Sequence, residues 1–272
     1  MQEVKEQLST EEELFCTRYE LEILSGIVNR GMLERWVPGF CNPQTHKEHE
    51  LRYDWVKEFV RNKAVLDIAC GTGFGSYKLA DEGGAAKITA WDIDKKTIQY
   101  ASLKNKHSNI VFEVKNAEEF DGHKQFDVII SFETIEHLSK PESFLNNINR
   151  ALVINGVCFI STPISDVTEN TQPGNIYHQR EWGFKRFQEL AGNYLRIEEV
   201  YLQLYSSPPR IKAGFFLKIL QKAGLKNNNA LKVIEKLRPH RWNPKELKEE
   251  SIGIEWTGYQ ILKCSKKTDA RA

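Results

Sequence analysis

Residues Val65 to Leu79 read VLDIACGTGFGSYKL, an apolar run that stops in a cluster of glycines and resumes with helical spacing. Val65, Leu66, Ile68 and Ala69 suit a buried strand, and Gly71, Gly73 and Gly75 let the backbone turn closely against a ligand before a helix begins. That is the strand–turn–helix opening of a parallel α/β sheet. A glycine turn alone does not name the ligand, because dinucleotide-binding units carry one too. Two details depart from those units. Asp67 sits inside the strand, and the turn reads G-T-G-F-G instead of the G-x-G-x-x-G that sets a helix amino terminus against a pyrophosphate.

With these residues the chain resembles the class I S-adenosylmethionine-dependent methyltransferases, whose first motif has the form V-L-D-x-x-C-G-T-G. The resemblance implies that Asp67, Ala69, Gly71 and Gly73 bind the cofactor, S-adenosylmethionine, with Ile93 and Ser131 at later strand ends. A second strand, Lys87–Trp91, runs into Asp92, an acid placed to accept hydrogen bonds from ribose hydroxyls. The alternative is a solvated carboxylate at a strand end. A third strand, Asn109–Val114, precedes Asn116, Ala117 and Glu118, a position that lies beside the adenine in the resembled family. Asn116 and Ala117 are the expected contacts, and Glu118 is expected to be exposed.

Alternation continues through helix Lys95–Lys106, strand Phe126–Ser131, helix Glu142–Ala151 and strand Val157–Ser161, with Asn155-Gly156 as the turn before that strand. Helix Gly183–Ala191 then leads to two late strands, Tyr194–Leu204 and Ile252–Lys263. The expected fold is an α/β, Rossmann-like sheet of seven strands closed by an antiparallel hairpin. Residues 1–45 are read as a helical appendage (helix Thr10–Val28, then an irregular stretch through Pro43). Residues 46–266 form the catalytic domain and open with helix Glu50–Val60.

The 272 residues fit one such core with additions. No apolar run approaches the roughly 18 residues of a membrane span. The acidic start MQEVKEQLSTEEEL excludes a secretory signal, and five cysteines without a C-x-x-C pair read as reduced thiols, so the chain is expected in the cytoplasm. A net charge of +1 conceals a basic insertion at 206–250, where eleven Lys/Arg face four Glu. It holds two expected helices, Ile211–Ala223 and Asn229–Leu237, and the first has an apolar face of Phe215, Phe216, Ile219 and Leu220. The segment suits an anionic substrate, peripheral membrane contact or a solvated lysine-rich face. Oligomeric state is left open.

The chemistry follows the fourth strand, in Phe132-Glu133-Thr134-Ile135-Glu136-His137. In a helical turn Glu133, Glu136 and His137 fall at i, i+3 and i+4 on one face, an arrangement that a divalent cation would explain. His178, in Asn175-Ile176-Tyr177-His178-Gln179-Arg180-Glu181-Trp182, lies after the fifth strand on the same sheet edge. E-x-x-E-H followed by H-x-x-E-W resembles the small-RNA 3′-terminal 2′-O-methyltransferases, and ubiquinone-pathway O-methyltransferases share its first half. That likeness implies a divalent metal (magnesium, manganese, iron(II) or zinc) on Glu133, Glu136, His137 and His178. From about Glu34 to Tyr205 the chain also resembles methyltransferases of bacterial surface-glycan pathways. Without a metal, His137 would serve as a general base, His178 as a substrate or cofactor contact, and Glu133 as a support for the loop or cofactor.

A coordinated hydroxyl is acidified and held in place, so the expected reaction is O-methylation of a vicinal diol on a sugar or glycan precursor, with His137 or His178 taking the proton. Rival readings are the terminal ribose of an RNA, a catechol of a quinone pathway, and a non-catalytic subunit that binds the cofactor. The near-neutral charge weighs against nucleic acid, while the basic insertion keeps it open. Arg35 and Tyr53, with His46 and His49, are candidates to cap the cofactor or line the acceptor pocket.

Overall fold

The computed structural model describes residues 7–30, 36–41, 43–123, 125–206, 240–241, 252 and 256–268. Five strands, β1 (Ala64–Ile68), β2 (Lys87–Asp92), β3 (Ile110–Val114), β4 (Phe126–Phe132) and β5 (Leu152–Ser165), lie parallel in the order β3-β2-β1-β4-β5. β10 (Trp256–Lys266) joins antiparallel to β5 and pairs antiparallel with β8 (Leu195–Ser206), which makes the expected closing hairpin. Among the described residues the sheet has ten strands, three more than the seven expected. The extra ones are short: β6 (Glu169–Asn170), β7 (Glu181–Gly183) and β9 (His240–Arg241).

The apolar strands are buried on both faces. Leu66, Ile68 and Ile129 pack beneath α5 (Pro141–Ala151) and α6 (Phe184–Tyr194), meeting Leu145 and Phe187. Val65 and Ile130 point the other way, toward Val56 of α2 (Pro43–Lys57), Leu79 of α3 (Phe74–Asp81) and Ile98 of α4 (Lys95–Lys104). α4 starts where Asp94 accepts the Thr97 N–H at 2.7 Å.

Three expectations on boundaries are corrected. α2 begins at Pro43, whose fixed φ suits a first helical position, so the boundary drawn at residue 45 falls inside a helix. α1 (Thr10–Arg30) is fastened to the core rather than appended: Tyr19 stacks on Tyr100 at 4.6 Å and its hydroxyl meets Thr97 Oγ1 at 2.9 Å. Asn155-Gly156 lies within β5, where Asn155 takes φ +66° and the pairing with β4 slips between Phe126 and Val128. The two helices expected in the basic insertion lie outside the described residues. The five cysteines are free thiols, four of them buried. Among the described residues no helix is long and apolar enough to cross a membrane.

Candidate active site

The carboxyl ends of β1 to β4 open on a cavity of about 800 Å³. At one end the chain leaves β1 through three left-handed residues, Ala69 (φ +60°), Gly71 (+55°) and Gly73 (+75°). Gly73 caps α3, and a Cβ there would meet the Phe112 ring at 2.6 Å. The Gly71 N–H donates to Asp92 Oδ2 at 3.1 Å, so the second strand end holds the turn. Ala69, Gly71, Asp92, Ile93, Asn116 and Ala117 line this end, as does Tyr53 from α2. Asn116 also caps the short turn Ala117–Glu119 by accepting the Glu118 N–H at 3.0 Å.

Asp67, Gly73 and Ser131 stand outside this wall. Asp67 is 1% exposed and accepts hydrogen bonds from Ser76 Oγ at 2.6 Å and the Tyr53 hydroxyl at 3.2 Å. Burial raises its carboxyl to about 7 against these two donors. It ties α2 and α3 to β1 instead of facing the cavity. Gly73 serves close packing, and Ser131 is fully buried. Arg35 lies outside the described residues.

Several lining residues carried no sequence signal. Trp36 stacks on His49 and Tyr53 with ring centroids 5.3 and 5.9 Å apart, and its indole N–H donates to His46 Nδ1 at 3.0 Å. Its carbonyl accepts the Thr72 hydroxyl at 2.7 Å, which fastens this wall to the glycine turn. Burial and the Arg52 charge hold the His49 imidazole well below its usual range, so it is neutral. α1 closes one side with Glu22, Ile23 and Gly26. Glu118 is exposed, as expected, and lines the cavity while its carboxylate takes both donors of Ser139.

At the far end, Glu136, His137 and His178 bring one ligand-type atom each to within 4.8 Å of one another. Glu136 is 0% exposed, and among the described residues neither carboxylate oxygen has a well-formed hydrogen bond, although the nearby Thr162 hydroxyl favours its charged form. Burial, then the Glu133 charge, pushes its carboxyl well above the usual range. His178 arrives because the Gln179 and Arg180 N–H groups both donate to the Glu136 carbonyl, at 2.8 and 3.2 Å, and because Trp182 is buried completely. The spacing H-x-x-E-W thus has a division of labour: His178 is presented, Glu181 orients it, and Trp182 anchors the strand.

The tautomers follow from the partners. His137 Nδ1 lies 2.9 Å from the Tyr177 carbonyl, which can only accept, so the proton is on Nδ1. His178 Nδ1 lies 2.6 Å from Glu181 Oε1, and its Nε2 accepts from Asn175 Nδ2 at 2.9 Å. Each ring therefore has a single lone pair, on Nε2, and in His178 the Asn175 amide already takes it. A ring can give that pair to a cation or to a proton, so the expected double duty of ligand and base is not available to either histidine.

Glu133 stands apart from this group. It takes φ +50°, and a single 3₁₀ turn, Ile135–His137, follows Thr134, so the helical face expected for Glu133, Glu136 and His137 does not form. Its carboxylate meets buried Arg52 at 3.2 Å and accepts from Ser161 Oγ at 2.6 Å.

Residues 59–201, just over half of the chain, match a methyltransferase domain. The chain belongs to the methyltransferase domain family. Over 165 residues it is 28% identical to a probable S-adenosylmethionine-dependent methyltransferase of Mycolicibacterium smegmatis, covering 58% of this chain and 61% of that protein. A ubiquinone biosynthesis O-methyltransferase of Pseudomonas aeruginosa is 32% identical over 125 residues, 43% of this chain and 52% of the relative. The chain therefore spans about half to three fifths of these curated relatives. In structure, the N-methyltransferase NodS of Bradyrhizobium japonicum in complex with S-adenosyl-L-homocysteine superimposes with a TM-score of 0.54. That match covers 93% of this chain and 99% of NodS at 14% identity, and it concerns the fold. S-adenosylmethionine is the cofactor named for the Mycolicibacterium relative, and this chain carries a methyltransferase domain. Its residues fit that cofactor: a turn of left-handed residues clears space over Gly71, where an added Cβ would meet nothing within 4 Å, and Asp92 faces the same space.

Proposed function

We propose that this methyltransferase methylates one of two adjacent oxygens on a small acceptor, a sugar vicinal diol in the first place, with a divalent cation held by Glu136, His137 and His178. One observation carries the reading: a fully buried carboxylate, with only the Thr162 hydroxyl to favour its charge, lies beside two imidazoles, of which His137 offers its Nε2 lone pair and His178 would exchange its Asn175 contact for a cation. Buried acids without partners are costly, and a doubly charged ion relieves that cost. Bound in this cavity, S-adenosylmethionine supplies an electrophilic methyl group, and a cation supplies a field that acidifies a coordinated hydroxyl. The chain's own part is placement. The glycine turn and Asp92 hold one end, Trp36, Tyr53 and Phe132 wall the middle, and His137 lines the other, with Glu136 and His178 beside it and outside the wall. One carboxylate and two imidazoles suit iron(II), manganese and zinc, and admit magnesium.

A catechol is the second reading, favoured by the ubiquinone-pathway relatives and by the aromatic wall around Trp36. An RNA end is disfavoured, because among the described residues the cavity wall has four acids (Glu22, Asp92, Glu118, Glu133) and one base, Lys115. The test is metal analysis of the purified chain, followed by an adenosylhomocysteine-release screen over sugar nucleotides, catechols and RNA ends, with and without chelator. Turnover on a vicinal dioxygen acceptor that stops with chelator and returns with metal is the expected outcome. Full activity under chelator would remove the metal from the reading. Cofactor binding by calorimetry with no turnover on any acceptor would favour a non-catalytic role.

A further inference from the structure

We propose that Glu133 is not a ligand of the cation but the carboxylate that receives the acceptor's hydroxyl, aimed by Arg52 and Ser161. The inference rests on the metal reading above and changes its ligand set. Ser161 holds Glu133 twice, since its Oγ accepts the Glu133 N–H at 3.1 Å and donates to Oε1 at 2.6 Å. Arg52 Nη1 sits 3.2 Å from the same oxygen. Arg52 is itself fixed: it is 1% exposed, its Nε donates to Gln203 Oε1 at 2.6 Å, and its guanidinium lies 4.6 Å over the Tyr259 ring. Gln203 is fully buried and donates to the Glu48 carbonyl at 3.0 Å. Arg52 from α2, held by β8 and β10, and Ser161 from β5 thus converge on one carboxylate oxygen.

Moving Glu133 into the metal group would leave the Arg52 cation buried without its anion, a change that proteins avoid. Oε2 has no partner among the described residues, and Glu133 lines the cavity with its side chain 22% exposed. A carboxylate locked through one oxygen and open through the other is a directed hydrogen-bond acceptor. Three protein ligands leave three positions on a six-coordinate ion, enough for both acceptor oxygens and one water.

The test titrates the full chain with Mn²⁺, then titrates the Mn²⁺-loaded chain with 4-nitrocatechol as a coloured vicinal-dioxygen probe. Glu133→Gln is expected to keep Mn²⁺ affinity within about threefold of the parent, while Glu136→Gln weakens it by about 100-fold. Glu133→Gln is also expected to weaken 4-nitrocatechol binding by about tenfold and to leave adenosylhomocysteine affinity unchanged. Ser161→Ala, a smaller change, should move the probe in the same direction and spare the metal, which covers the case in which Glu133→Gln does not fold. Loss of Mn²⁺ in Glu133→Gln equal to that in Glu136→Gln overturns the inference and restores a four-ligand site. Unchanged probe binding, or a loss of adenosylhomocysteine affinity instead, also overturns it. A parent chain that binds no Mn²⁺ overturns the metal reading itself and this inference with it.

Discussion

Asp67 at the glycine-turn end and Glu136 at the opposite end are both carboxyls withdrawn from water, 1% and 0% exposed, yet their surroundings are opposite. Asp67 receives two hydroxyl donors, from Ser76 and Tyr53. Glu136, which like Asp67 does not line the cavity, has only the nearby Thr162 hydroxyl to favour its charge and stands within reach of two imidazoles. The difference separates two uses of a buried acid. The first braces the fold, and its two donors offset part of the cost of burying its charge. The second is compensated less, which makes sense where a cation completes it. The glycine-turn end is therefore built from backbone and braced side chains, and the other end from side chains that would hold a cation in the proposed reading.

The largest expected effect falls on Asp67. Its folded pKa of about 7 lies above the ordinary 3.8, so the folded chain holds this proton more tightly than the unfolded chain. Its contribution is therefore complete below about pH 4 and is lost as the pH rises through about 7, a change of about 4 kcal/mol. Asp67→Asn should flatten the dependence of unfolding free energy on pH between these values. Urea denaturation at pH 5 and pH 8 measures it, and parallel slopes for parent and variant would show that Asp67 is solvated after all.

Glu136→Gln is the matched change at the other end. Mn²⁺ affinity should fall by about 100-fold, because the amide gives up the anionic ligand. The metal-free chain should lose little stability, since the carboxylate forfeits at most the Thr162 hydroxyl. Destabilisation of the metal-free variant by about 2 kcal/mol or more would reveal a hidden partner and erase the contrast.

The sequence disclosed the ends of this cavity unevenly. β1 and β4 were legible because strands buried on both faces are apolar throughout, and the left-handed turn was legible because glycines crowd there. His178 was legible from its spacing to Glu181 and Trp182. Glu133 was misplaced because one residue at φ +50° breaks the helical period on which the i, i+3, i+4 argument depends, and Glu carries no mark of that conformation. The Arg52–Gln203 contact joins residues 151 apart, and the Trp36 wall depends on how α2 packs over the turn. Local periodicity holds no information about either. The family resemblance places Asp67 at the cofactor, whereas strand alternation points its side chain into the layer beneath α2 and α3.

A smaller effect is expected at Glu181, which touches the metal group only through His178 Nδ1 at 2.6 Å. Glu181→Gln retains size but replaces an anion with a neutral acceptor, so the imidazole donates less electron density through Nε2. Mn²⁺ affinity should weaken by about tenfold, with Trp182 still anchored and the melting temperature little changed. Calorimetric titration beside a melting curve separates this from collapse of the 175–182 loop, which would lower both together.

The finest adjustment makes Asp67 resemble Glu136. Ser76→Ala removes the shorter of its hydroxyl donors, at a residue that is 0% exposed and leaves no room for a replacing water without a shift in packing. The lost hydrogen bond favoured the charged carboxylate, so the Asp67 pKa should rise further. Destabilisation should therefore depend on pH in a stated direction: about 1–2 kcal/mol at pH 8, where the carboxylate is charged, and less at pH 5, where the folded chain keeps the proton. If instead the cost is equal at both values, Ser76 acts through packing alone, and the compensation of Asp67 must come from the Tyr53 hydroxyl at 3.2 Å.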